Sequence, residues 1–159
     1  MIYNKEMKKL IDEINDISKL NVNIDLIELS DILFPKHMKL YNTYGDEYYL
    51  IDDASTTKKS DEELSWLEWD INEKYIAFED ESILKATKFG LITAKVWTQT
   101  LKEKYPNKEF EVVLSIDVGE INCILPSATL RFYHVREGYH CCSDIEKFDQ
   151  PILITSTFF

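Results

Sequence analysis

The sequence predicts a single α+β domain spanning residues 1–159, with helices packed against an antiparallel, mainly C-terminal β-meander. Three observations carry this. Apolar residues recur at helical spacing before Pro106, and alternate one-in, one-out after it. Successive strand patterns are separated by short turns, which favours antiparallel neighbours. The 159-residue length, with 45% apolar and 30% charged residues, suits one globular core that needs no staples.

The first element is a helix predicted over 3–20. Tyr3, Met7, Leu10, Ile14 and Ile17 recur at three and four residues, and Ile11 widens the stripe. Residues 24–34 fit two readings. Asp25 and Glu28 could cap a short helix ending at Phe34-Pro35, while Val22, Ile24 and Leu26 alternate like a strand. The stretch "KLYNTYGDEYYLIDD" reads as a hairpin turning at Gly45-Asp46, with tyrosine-rich flanks. Residues 54–60 read as a loop.

Ser60 and Glu63 form a capping box that opens a helix through "DEELSWLEWDINEKYIAF". On that helix Leu64, Leu67, Ile71 and Tyr75 line one face, and Glu62, Trp66, Trp69, Asp70 and Glu73 gather on the opposite one. Residues 82–105 make the longest predicted helix. Its lysines occupy a narrow side, and the broad apolar arc from Ala86 to Tyr105 predicts packing against several neighbours. Pro106 ends it.

Strands follow. Phe110, Val112, Leu114, Ile116 and Val118 alternate with polar residues. Gly119-Glu120 is predicted to reverse the chain into "INCIL", which Pro126 closes. Next come "ATLRFYHVR", a turn at Glu137-Gly138, "YHCC" as a return strand, a short helix near 144–148, and a last strand, "ILITSTFF".

Charge and composition narrow the function classes. Net charge is −11; residues 1–81 hold nine Lys against twenty acids, and residues 82–159 hold nine of each sign. The acidic half would repel a phosphate backbone, which disfavours nucleic acid, and would attract and steer a basic protein partner. Apolar runs fall short of the roughly 18 residues of a membrane span. The charged, amphipathic N-terminus does not resemble a secretory leader. Three cysteines, two of them adjacent, imply no disulfide framework and point to a reducing cytoplasm. Sixteen Lys against two Arg hint at an AT-rich bacterial genome.

Two constellations compete for the chemistry. The run "REGYHCCSD" sets His140 beside Cys141 and Cys142, with His134 six residues upstream. A zinc site wants ligands spaced so that a turn aims both at one ion. In a strand, adjacent cysteines point to opposite faces, so a site there reduces to His134, His140 and Cys142, one ligand short. A Cys-His nucleophile is the other option, but no hydrolase signature surrounds it. Glycine-rich phosphate loops, EF-hands and H-E-x-x-H are missing from the sequence, so no cofactor or metal is expected.

The second constellation is the helix face of Glu62, Trp66, Trp69, Asp70 and Glu73. Trp is enriched at binding hot spots, and surrounding acids would steer a basic partner. The alternative is a helix buried on both sides. Tyr41, Tyr44, Tyr48 and Tyr49 could extend the patch.

The run "ATLRFYHVREGY" followed by "DIEKFDQPILI" resembles the ending of small bacterial immunity proteins of polymorphic toxin systems. It covers about a quarter of the chain and carries no catalytic motif. The resemblance implies an intracellular protein that binds and neutralises a cognate toxin domain, and no enzymatic activity is expected. It transfers no site residue. The expected function is therefore occlusion of a basic toxin domain by the acidic tryptophan face. A small enzyme or metal-binding protein using His134, His140 and Cys142, and an adaptor without a toxin partner, are the alternatives.

Overall fold

The structure, a computed structural model, describes residues 1–16, 38–40, 48–50, 60–78, 82–120 and 124–158. Among them, three α-helices pack with a five-stranded antiparallel sheet, so the fold is α+β with most strands C-terminal. The helices are α1 (Lys5–Asp16), α2 (Asp61–Ile71) and α3 (Ile83–Lys104). The strands are β1 (Ile2–Tyr3), β2 (Met38–Leu40), β3 (Tyr48–Leu50), β4 (Glu73–Ala77), β5 (Phe110–Asp117), β6 (Ser127–His134) and β7 (Ile152–Ser156). The large sheet runs β1-β7-β5-β6-β4, so β5 lies at its centre with β6 on one side and β7 on the other. None of the described helices is long and apolar enough to cross a membrane.

The alternation in β5 sorts its side chains as predicted. Phe110, Val112, Leu114 and Ile116 face α3 and α1, joining Trp97, Leu101, Phe132, Leu130 and Met7 in the main core. Such side chains gain roughly 1.5–3 kcal/mol each on burial. The opposite face is also covered, which alternation alone does not reveal. There Val113, Tyr133, Val135, Ile145, Ile152 and Ile154 form a second cluster, with Cys142 buried and Trp69 and Cys141 packed against it.

Helix α3 matches its predicted span, capped by Ser82, whose hydroxyl accepts the Lys85 N–H at 3.2 Å. It contacts β5, β6, β7, β4 and α1, as its wide apolar arc requires. At the end of β5, Gly119 has φ +76°, and a Cβ there would lie 2.5 Å from the Ile124 carbonyl oxygen. Glycine is thus required at the reversal, which is pinned by a bridge between Glu120 and Ile124. Of the predicted strand "INCIL", Ile124 takes part in that isolated bridge. Residues 121–123 lie outside the described residues, and β6 begins beyond Pro126.

Four expectations are corrected. Helix α1 starts at Lys5, not residue 3, because Asn4 caps it: its Oδ1 accepts the Met7 N–H at 3.0 Å. Tyr3 belongs instead to β1, which pairs with β7. The predicted hairpin near Gly45 is replaced by parallel pairing of β2 with β3, Met38 opposite Tyr48; its turn, Tyr41 and Tyr44 lie outside the described residues, as do 24–34, 54–59 and the predicted end of the first helix at 17–20. The helix from residue 61 stops at Ile71, and residues 73–77 form β4 along β6. The run "YHCC" is not a strand.

Candidate functional site

Helix α2 begins where the sequence says it should. Ser60 Oγ accepts the Glu63 N–H at 3.2 Å, and the Glu63 carboxylate accepts the Ser60 N–H at 2.7 Å. It ends at Asn72, a fully buried residue whose amide donates to the Phe132 carbonyl at 3.2 Å. That bond ties the chain to β6 and turns it into β4. Tyr75 therefore leaves the helical stripe and is 57% exposed.

The buried face of α2 carries two polar residues, Ser65 and Glu68, beside Leu64. Glu68 is fully buried and pairs with Arg136 at 2.6 Å, while also accepting the His134 N–H at 2.7 Å. The Ser65 hydroxyl donates to the His134 carbonyl at 2.9 Å. The end of β6 has backbone groups left over by the ladder, and α2 satisfies them. This polar latch sets the helix at a fixed rotation.

With the helix so held, the two tryptophans take different roles. Trp66 is 39% exposed, and Trp69 is half-buried. They meet edge to face with centroids 5.9 Å apart, and Trp69 meets the buried Tyr133 the same way at 5.8 Å. The Trp66 indole N–H donates to the Tyr139 hydroxyl at 2.7 Å. Partial burial, then hydrogen bonding to Glu62, hold the Tyr139 phenol above its ordinary pKa.

Behind Trp66 lies a concavity of about 140 Å³. Its floor is the second face of the sheet: Val113 and Ser115 of β5, Arg131 of β6, and Ile152 next door. Trp66 and Trp69 form one wall, and Cys141, Cys142, Phe148 and Gln150 the other. The Arg131 guanidinium lies 5.3 Å from the centre of a Trp69 ring and pairs with Glu73.

Each predicted binding residue can now be placed. Trp66 and Trp69 line the concavity. Glu62 and Asp70 are exposed on α2, one turn to either side of Trp66. Glu73 is not on the helix at all: it is in β4, directly opposite Arg131 in the register. It reaches the same neighbourhood through that pairing.

The histidine and cysteine constellation is rearranged. Glu137 and Gly138 have φ of 48° and 74°, so the turn forms as a tight reversal. Because the chain beyond it is not pleated, Cys141 and Cys142 are not split between two faces; both line the concavity. His140 instead bonds Glu111 through Nδ1 at 2.9 Å. The Tyr133 hydroxyl donates to the same carboxylate and accepts the Cys141 N–H at 2.9 Å. His134 is half-buried and packs at a tilt against the core residue Phe110, 5.3 Å between centroids, on the other side of the sheet. It cannot reach Cys142 without crossing the sheet.

Both thiols are free and shifted away from reactivity. Burial, with the neighbouring Cys142, pushes Cys141 up to about 12; burial, then the Glu111 charge, pushes Cys142 up to about 11. A nucleophilic cysteine requires the opposite shift. Among the described residues, no group of three or more His, Cys, Asp or Glu is disposed to hold a metal ion.

Sequence reasoning missed Arg131, Tyr133, Tyr139 and Phe148 as neighbours of the tryptophans. Arg131 and Tyr133 carried a signal, since both alternate with the core residues Leu130 and Phe132 and so share the second face. Tyr139 and Phe148 carried none. Neither family models, curated proteins nor solved structures give a match to this chain.

Proposed function

We propose that this chain is a bacterial, cytoplasmic binding protein that neutralises a basic toxin domain by covering it, as the immunity proteins its C-terminal run resembles do. The supporting observation is the exposed Trp66, held edge to face on Trp69 and anchored by Tyr139, at the mouth of a concavity. A large aromatic already fixed in place loses little freedom on binding, which is why such residues serve as anchors. Glu62 and Asp70 flank it and supply steering towards positive charge. The raised thiols beside it weigh against a Cys-His enzyme at the same place.

The test is growth rescue and pull-down with the product of any toxin-like gene encoded beside this chain's own. Co-expression should restore growth, and the double variant Trp66→Ala, Asp70→Lys should lose both rescue and capture. Rescue that survives the double variant would discard this surface. A chain that captures a partner without neutralising any toxin would be an adaptor.

A further inference from the structure

We infer that the concavity behind Trp66 receives one phenyl-sized side chain from a lysine- or arginine-rich segment of the partner. This rests on the binding reading above and specifies what the partner presents.

Size is the first argument. The concavity measures about 140 Å³. An apolar protein cavity of about 150 Å³ accommodates a benzene molecule. Lining chemistry is the second. Val113, Ile152, Trp66, Trp69 and Phe148 surround the space with apolar surface. Two of the lining rings, Trp66 and Phe148, are each 39% exposed. An entering ring would meet Trp66 or Trp69 at the edge-to-face geometry those residues already use with each other.

Charge is the third argument, and it sets the flanking residues. Among the described residues, the one cation lining the concavity, Arg131, is matched by Glu73 and lies over Trp69. Exposed Glu62 and Asp70 stand one helical turn to either side of Trp66. A segment that places its ring between Trp66 and Phe148 brings its neighbouring residues past these carboxylates. Lysine or arginine there gains attraction, and Asp or Glu meets like charge.

The experiment uses three acetylated, amidated heptapeptides against the full chain: Gly-Lys-Lys-Phe-Lys-Lys-Gly, the same with Ala for Phe, and the same with Glu for every Lys. The readout is the pair of Trp66 and Trp69 indole N–H resonances, titrated at low salt. The Phe–Lys peptide should shift both resonances saturably. The Ala peptide should bind about tenfold more weakly or worse, as loss of one buried ring requires. The Glu peptide should leave the resonances unmoved. Ser115→Trp, which fills the floor of the concavity, should abolish the shifts. The wild-type comparison stands alone if that variant does not fold. Equal binding by the Ala peptide, binding by the Glu peptide, or no shift with any peptide would overturn the inference. Rescue that is still sensitive to Trp66→Ala would then leave the binding surface standing and remove only the inserted ring.

Discussion

Glu68 of α2 and Arg136, just beyond β6, form an ion pair at 2.6 Å with both side chains out of solvent. The two residues are 68 apart in sequence, and the pair fixes the rotation of α2 against the sheet. Breaking such a pair leaves one buried charge alone. Arg136→Ala should therefore lower the unfolding free energy by about 3–5 kcal/mol, and the double change Glu68→Leu, Arg136→Met by much less. Urea unfolding measures both. A single-variant loss under about 1 kcal/mol would mean the pair behaves like a surface bridge.

The tryptophans should separate into an anchor and a core residue. Trp66→Ala should lose only about 1–2 kcal/mol, because the residue is 39% exposed and is held by Trp69 and Tyr139. Trp69→Ala should lose about 3 kcal/mol, since it packs on Tyr133 and the second core. Equal losses would show that Trp66 is a packing residue.

Asn4 is buried and spends its whole side chain on other segments. Its amide donates to the Gln150 carbonyl at 2.8 Å and to those of Ile145 and Phe148, while Oδ1 accepts the Met7 and Ile152 N–H groups, each at 3.0 Å. Asn4→Ala removes the α1 cap and strips these carbonyls, so at least about 2 kcal/mol should be lost. Asn4→Asp keeps the cap but sets a carboxylate against three carbonyl oxygens, and should be no milder. Thermal unfolding of the two variants beside wild type decides; a stable Asp variant would contradict the assigned donors.

The thiols give a pH dependence. From an ordinary value of 9.0, Cys141 and Cys142 rise to about 12 and about 11 in the folded state. Between those values the folded form keeps protons that the unfolded form has released. Stability should thus be insensitive to these groups below pH 9.0 and fall as pH rises above it. In a Cys123→Ser background, iodoacetamide should label the native protein slowly at neutral pH and quickly in urea. Rapid native labelling would show an activated thiolate.

Much of the fold was legible because the signals are local. The Ser60–Glu63 box, the arc of α3 and the alternation of β5 each lie within one element. What failed depended on distant partners. Nothing local marks Asn72 as a buried donor to Phe132, so the helical pattern runs on across it and places Glu73 and Tyr75 on helical faces. Pairing of β2 with β3 in parallel was hidden by a turn-like Gly45-Asp46. The candidate surface was half legible. Trp66 between Glu62 and Asp70 is a helical pattern, but the concavity behind it is built from β5, β6, β7 and the 141–150 segment. The split of Cys141 from Cys142 failed because it assumed a pleat that the chain does not have.

Apart from the cap to Met7, the side-chain bonds of Asn4 reach across separations of 141 to 148 residues. They hold the segment that carries Phe148 and Gln150, one wall of the concavity. Contacts of that span carry a large closure entropy and form late. As the chain leaves the ribosome, α2 and its tryptophans emerge long before that wall can be fastened. Trp66 is therefore made before its pocket, and the concavity is complete only once the first turn of α1 has met β7.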